Sequence, residues 1–216
     1  MLSMLLPTAR ALCLTALASS ALAVDIHGTI GNPQDITRLM GTSSQVYILF
    51  ASYTQTSVAG RAAVNNGTFF LDIPDGQVLK TRLYTACEGV TPSAPARVYQ
   101  TETILLYNND LNRAIGPVIQ ADRLVNPSKV VHWLYSDRNA SVIGRCSGLN
   151  TSYDLQLKQG WNAVLTSSKE DKDQIGILYT NLNTLLPYWV SGDLNLAHAR
   201  TVLPKEFFQA QKILSR

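Results

Sequence analysis

"GTFFLDIPDG", residues 67–76, is the stretch on which the fold turns. Phe69, Leu71 and Ile73 alternate with Phe70 and Asp72, and a Pro-Asp-Gly turn follows. Successive side chains of a strand point to opposite faces, so one face carries Phe69, Leu71 and Ile73 and the other carries Phe70 and Asp72. The same texture runs outward in both directions. "VDIHGTIG" (24–31) and "QVYILFASY" (45–53) precede it, and "VLKTRLYTAC" (78–87), "RVYQTETILLY" (97–107), "KVVHWLYSD" (129–137), "ASVIGRCSG" (140–148) and "IGILYT" (175–180) follow. All are rich in the β-branched and aromatic residues that suit a pleated surface.

Between these runs the chain is punctuated. Prolines 92 and 95 deny backbone donors to any ladder, which predicts a loop or linker over 91–98. "NNDLN" (108–112) and "SSKEDKDQ" (167–174) read as exposed loops. Helix signals are confined to the C-terminus, where Phe207, Ala210 and Leu214 of "KEFFQAQKIL" fall on one helical face. The expectation is an N-terminal β half over 24–90, the linker, a C-terminal β half over 99–200 and a helix over 201–216.

"SYDLQLKQGWNAVLTSS" (152–168) reads as a hairpin, and its turn decides where Trp161 points. A two-residue loop would put the ring on the polar face with Asp154, Gln156 and Lys158. A three-residue loop with Gly160 in the left-handed position pairs Leu157 with Trp161 and sets the ring beside Tyr153, Leu155, Leu157 and Leu165. Gln159 is a poor choice for positive φ and Gly160 a good one, so Trp161 is read as a core residue. Matching offsets in "FFLDIPDG" (69–76) and "YDLQLKQG" (153–160), and in "IHGTI" (26–30) and "VIGRC" (142–146), fit either an internal duplication or the shared grammar of Gly-turn hairpins.

Residues 1–23 have the pattern of a secretory signal peptide: a single charge at Arg10, the apolar run "ALCLTALA" (11–18) and the small residues "ALA" (21–23). Cleavage near Ala23 would place the protein in the periplasm or cell envelope, or outside the cell, with no membrane span in the mature chain. It would also remove Arg10 and Cys13 and leave 17 basic against 15 acidic side chains. So balanced a charge, with the signs interspersed, argues against a nucleic-acid partner. Cys87 and Cys146 remain, in a compartment that permits oxidation. Pairing them closes a loop of about sixty residues, for which chain-entropy arguments give roughly 4 kcal/mol.

Reactive chemistry is hard to find in this chain. His27, His132 and His198 are its three histidines, and no H-x-H or H-x3-H spacing joins them into a metal site. His132, in "VVHWLY" (130–135), reads as a surface or internally satisfied histidine. No G-x-S-x-G elbow occurs, and "SGDLNLAH" (191–198) gathers Ser, Asp and His in sequence where a triad needs them in space. Asp171 and Asp173 are separated by Lys172, which opposes a calcium ion. The sequence therefore implies no catalytic residue, metal or cofactor. Sequons at Asn66, Asn139 and Asn150 lie in expected turns and would matter only in a eukaryotic secretory pathway.

Aromatic side chains are the remaining binding material, with Trp133, Tyr135, Tyr188 and Trp189 as the candidates. In an extended "LLPYWV" (185–190), Tyr188 and Trp189 point to opposite faces, and one of them is exposed unless both faces are covered. Exposed rings beside Asn-rich loops suit a glycan or a protein partner.

"IHGTI" (26–30), "VYILF" (46–50) and "GTFFLDIP" (67–74), taken in that order, resemble the transthyretin-like or carboxypeptidase-regulatory-like modules of bacterial exported proteins. "WLYSDRNASVIGRCSG" (133–148) with "YDLQLKQGWNAV" (153–164) is similar to a pattern of uncharacterised bacterial secreted proteins. The resemblance implies an all-β, immunoglobulin-like or transthyretin-like antiparallel sandwich with a short C-terminal helix. It further implies a non-catalytic module that binds a protein or glycan at the envelope, or assembles there into oligomers. The alternative is a hydrolase or enzyme accessory domain whose site the sequence does not display.

Overall fold

The computed structural model describes residues 24–41, 45–52, 57–73, 79–101, 103–171, 174–197 and 199. The signal peptide expected over 1–23, His198 and the C-terminal helix expected over 201–216 lie outside the described residues. Fourteen strands and one helix are described, in the order β1 (Val24–Thr29), α1 (Pro33–Met40), β2 (Val46–Ser52), β3 (Ser57–Asn65), β4 (Thr68–Ile73), β5 (Arg82–Leu83), β6 (Arg97–Gln100) and β7 (Thr103–Asn108). There follow β8 (Arg113–Ala121), β9 (Lys129–Ser136), β10 (Ala140–Arg145), β11 (Thr151–Leu157), β12 (Gly160–Asp171), β13 (Gln174–Asn181) and β14 (Tyr188–Leu196). The chain is mostly β, as the period-two runs predict.

The helix α1 went unread in the sequence, although it carries local signals. Pro33 occupies its first turn, Asp35 lies near its positive end, Arg38 lies in its last turn, and Ile36 and Met40 are its buried pair. Met40 is fully buried in the same core as Ile48 and Ile115.

All fourteen strands belong to one sheet. Its first part runs β1-β4-β3-β2-β7-β8, with β14 on the other edge of β8. Ile30, just past β1, forms a parallel bridge with Tyr188, and the Gly31 N–H donates to the Tyr188 carbonyl at 2.7 Å. The Asn32 amide then pairs with both main-chain groups of Val190, at 2.9 Å each. These contacts return β1 to β14, so seven strands close into a ring. Ile26, Phe50, Phe69, Leu71, Ile115 and Tyr188 fill its interior.

From β8 the sheet continues into β9, which pairs with β6 and β8 along one edge and with β12 along the other. Next come β13, β11 and β10, and the β13–β11 pair is parallel rather than antiparallel. Beyond β10, the loop before β6 takes over: the Ser93 N–H donates to the Ser141 carbonyl at 2.9 Å, and Cys87 is bonded to Cys146. The disulfide expected from composition is present. The segment expected as a linker over 91–98 is thus fastened to β10, with Ala96 fully buried, and its last residues enter β6. The loop expected over 167–174 is instead the end of a hairpin, with Asp171 opposite Gln174.

Alternation gives β6, β9 and β12 a core on each face. Tyr99, Trp133, Tyr135 and Trp161 pack against the ring interior, whereas Val98, Leu134 and Val164 join Leu155 and Leu157 in a second core. Trp161 is 7% exposed and Gly160 takes a φ of 99°, as the turn chemistry predicts. The hairpin itself does not form. Strand β13 lies between β12 and β11, Trp161 stands opposite Tyr135, and its ring meets Tyr99 at 6.0 Å and Tyr135 at 5.8 Å. The expected company of Leu155 and Leu157 belongs to the other core. The Asn162 side chain explains the change: it accepts from the Lys158 N–H at 2.9 Å and donates to the Lys158 carbonyl at 2.8 Å, so a side chain bridges the bend where a ladder would have started.

Candidate functional site

The four aromatic candidates are drawn into the fold. Tyr188 is fully buried, and its hydroxyl accepts from the Trp133 indole N–H at 3.1 Å. The same N–H donates to the Gln120 amide oxygen at 3.0 Å, so Trp133, Tyr188 and Gln120 form one internal cluster. Tyr135 is half-buried against Trp161. Trp189 is half-buried, lies against Gly31 and donates to the Ala121 carbonyl at 3.0 Å. Both faces of β14 are covered, which is the condition under which neither Tyr188 nor Trp189 becomes a displayed ring.

His132 stands on β9 opposite Val164, on the face it shares with Leu134. Burial disfavours the imidazolium and lowers its pKa below the ordinary 6.5. The unfolded chain therefore takes up this proton first, and the stability that His132 allows above pH 6.5 is lost as the pH falls from there toward the folded value. Urea midpoints measured across that range should decline for the native chain, and His132→Gln should flatten the decline. An unchanged slope in the variant would dissociate His132 from the acid sensitivity.

Among the described residues, no three His, Cys, Asp or Glu side chains come together to hold a metal ion. Ser191 accepts a hydrogen bond from the Asp193 N–H at 3.3 Å, a contact within its own turn. Of the sequons, Asn66 is exposed at a turn, the Asn139 side chain accepts from the Gln159 N–H at 2.8 Å, and that of Asn150 accepts from Arg145 at 3.1 Å.

An open groove of about 690 Å³ lies elsewhere, on the outside of the paired strands β1 and β4. Its floor is His27 and Thr29 of β1 with Thr68 and Phe70 of β4; Ala63 and Asn65 of β3 line it too, together with Leu185, Leu186 and Pro187. The register makes this surface. His27 stands opposite Phe70 and Gly28 opposite Phe69, so one pair faces out and the other faces in. A Cβ on Gly28 would lie 2.1 Å from the Phe69 ring, hence only glycine leaves room for that ring beneath β1. The tip of the β3–β4 hairpin is set by Asn66 and Gly67, with φ of 49° and 74°, the two positive values that match the twist of paired strands.

The groove pairs exposed apolar surface with neutral polar groups. Phe70 is 51% exposed and Leu185 is 84% exposed, and the His27 and Phe70 rings meet edge to face at 4.6 Å. Thr29, Thr68 and Asn65 supply hydroxyl and amide groups, and no Asp, Glu, Lys or Arg is among the described residues that line the groove. Its size suits a small ligand of a few rings. The alternation of Phe69 and Phe70 could have flagged this surface from sequence, but the pairing of His27 with Phe70 could not be read there. Comparison with protein-family models, with curated proteins and with solved structures finds no significant match to this chain.

Proposed function

We propose that this protein is an exported, non-catalytic binding module, and that its β1–β4 groove takes a neutral glycan. The observation that carries the reading is the solvent-facing Phe70 ring beside His27 in a groove whose described lining holds no Asp, Glu, Lys or Arg. A pyranose ring presents an apolar face to an aromatic ring and hydroxyls around its rim. Phe70 and Leu185 offer surface to the first, and Thr29, Thr68 and Asn65 offer partners to the second. A location outside the cytoplasm agrees with the Cys87–Cys146 bond, because such bonds persist in oxidising compartments. No described helix is long and apolar enough to cross a membrane.

A glycan array followed by calorimetry on the hits tests the proposal. Phe70→Ala should weaken binding about tenfold or more, which corresponds to ~1.4 kcal/mol, while leaving the denaturation midpoint where it was. Neutral glycans that bind Phe70→Ala as tightly as the native chain, or an array on which nothing binds, would overturn it.

A further inference from the structure

We propose that Tyr153 and Tyr179 are a site of oxidative modification, at which a peroxide-derived one-electron oxidant couples the two rings into a dityrosine bridge between β11 and β13. The two residues are direct partners in the parallel pair of strands. Parallel partners project their side chains in the same sense, so the rings run alongside each other with their hydroxyl ends on the same side. Their centroids are 4.6 Å apart and their planes differ by 8°, close to the spacing of neighbouring strands themselves. Such a stack brings carbons ortho to one hydroxyl beside those of the other without moving either backbone.

Both rings are half-buried at the margin of the second core, where Tyr84 packs as well. A half-buried ring remains open to a small oxidant, and the surrounding contacts hold it in the stacked geometry. Burial, together with the neighbouring Tyr179, raises the pKa of Tyr153, so its phenol keeps its proton until it is oxidised.

The chemistry balances as follows. Each phenol gives up one electron and one proton to become a tyrosyl radical. The two radicals join at their ortho carbons, and the hydrogen on each new tetrahedral carbon moves to oxygen to restore two phenols. Two electrons and two protons have then left the protein, and they convert one hydrogen peroxide into two waters. The product is a covalent tie across the strand pair, added to the disulfide that already holds β10.

The test treats the full chain with a haem peroxidase and hydrogen peroxide, and reads dityrosine fluorescence and peptide masses. The expected product is monomeric, shows dityrosine emission and contains peptides 151–157 and 174–181 joined with the loss of two hydrogens. Tyr153→Phe and Tyr179→Phe, each shown by denaturation to be folded, should abolish that product, and Tyr84→Phe should retain it. No emission from the native chain, emission only from covalent dimers, or a bridge that survives in Tyr153→Phe would overturn the proposal. Each reading is independent of whether the β1–β4 groove binds a glycan.

Discussion

Phe69→Ala is expected to cost about 3–5 kcal/mol of folding stability, a large share of the ~5–15 kcal/mol that holds a typical domain. The ring is 5% exposed, fills the space over Gly28 and meets Tyr188 edge to face at 4.9 Å. Its removal leaves a cavity inside the ring of strands, behind β1 and β4. The packed neighbours are themselves large and rigid, so the site cannot collapse to fill the void. Chemical denaturation provides the measure: the midpoint should fall with little change in its slope. The neighbouring truncation Phe70→Ala supplies the contrast, because an exposed side chain outside the core changes stability by about 0.5 kcal/mol or less. Equal losses for the two variants would refute the assignment of inner and outer faces on β4.

The second large effect is expected from the disulfide. Replacing Cys87 and Cys146 together by alanine opens a covalent loop with a sequence separation of 59, which lowers stability by about 4 kcal/mol through the entropy regained by the unfolded chain. For a chain of this size that is a fall of roughly 8–16 °C in Tm. Cys146 is 4% exposed, and beside it the Ser147 N–H donates to the Glu88 carbonyl at 2.8 Å. Calorimetry of the double variant checks the figure, and a fall of less than 2 °C would mean that the loop is fixed by packing instead.

Much of this architecture was legible in the chain. The alternation in residues 69–71 is matched by burial of Phe69 and Leu71 and exposure of Phe70. The two cysteines left after the expected signal peptide are bonded to each other. Trp161 is buried, and glycine occupies the left-handed position before it. Each of these depends on the rotation of a side chain about its own strand, or on the conformational freedom of one residue, and local sequence controls both.

The misread hairpin has a different cause. The chain from 152 to 168 has the grammar of a hairpin, yet β13, which comes later, takes the place between β11 and β12. Trp133, Tyr135, Tyr188 and Trp189 look like display aromatics when each strand is taken to have one covered face. They are instead buried or half-buried, because β9 and β12 carry a core on each side and both faces of β14 are covered. The β1–β4 groove escaped for the same reason: His27 and Phe70 are 43 positions apart in sequence and meet only through the β1–β4 register.

What the sequence by itself determined is the β character of this protein, the inward or outward sense of many side chains along a strand, and the means for one covalent closure. The tertiary structure alone decided which strands are neighbours, that the first seven-strand run returns upon itself through Ile30 and Asn32, and which outward-facing groups share a surface. Side-chain alternation is a property of consecutive peptide units, whereas strand partnership is a competition among distant segments of similar pattern, settled by the total packing of the finished sheet.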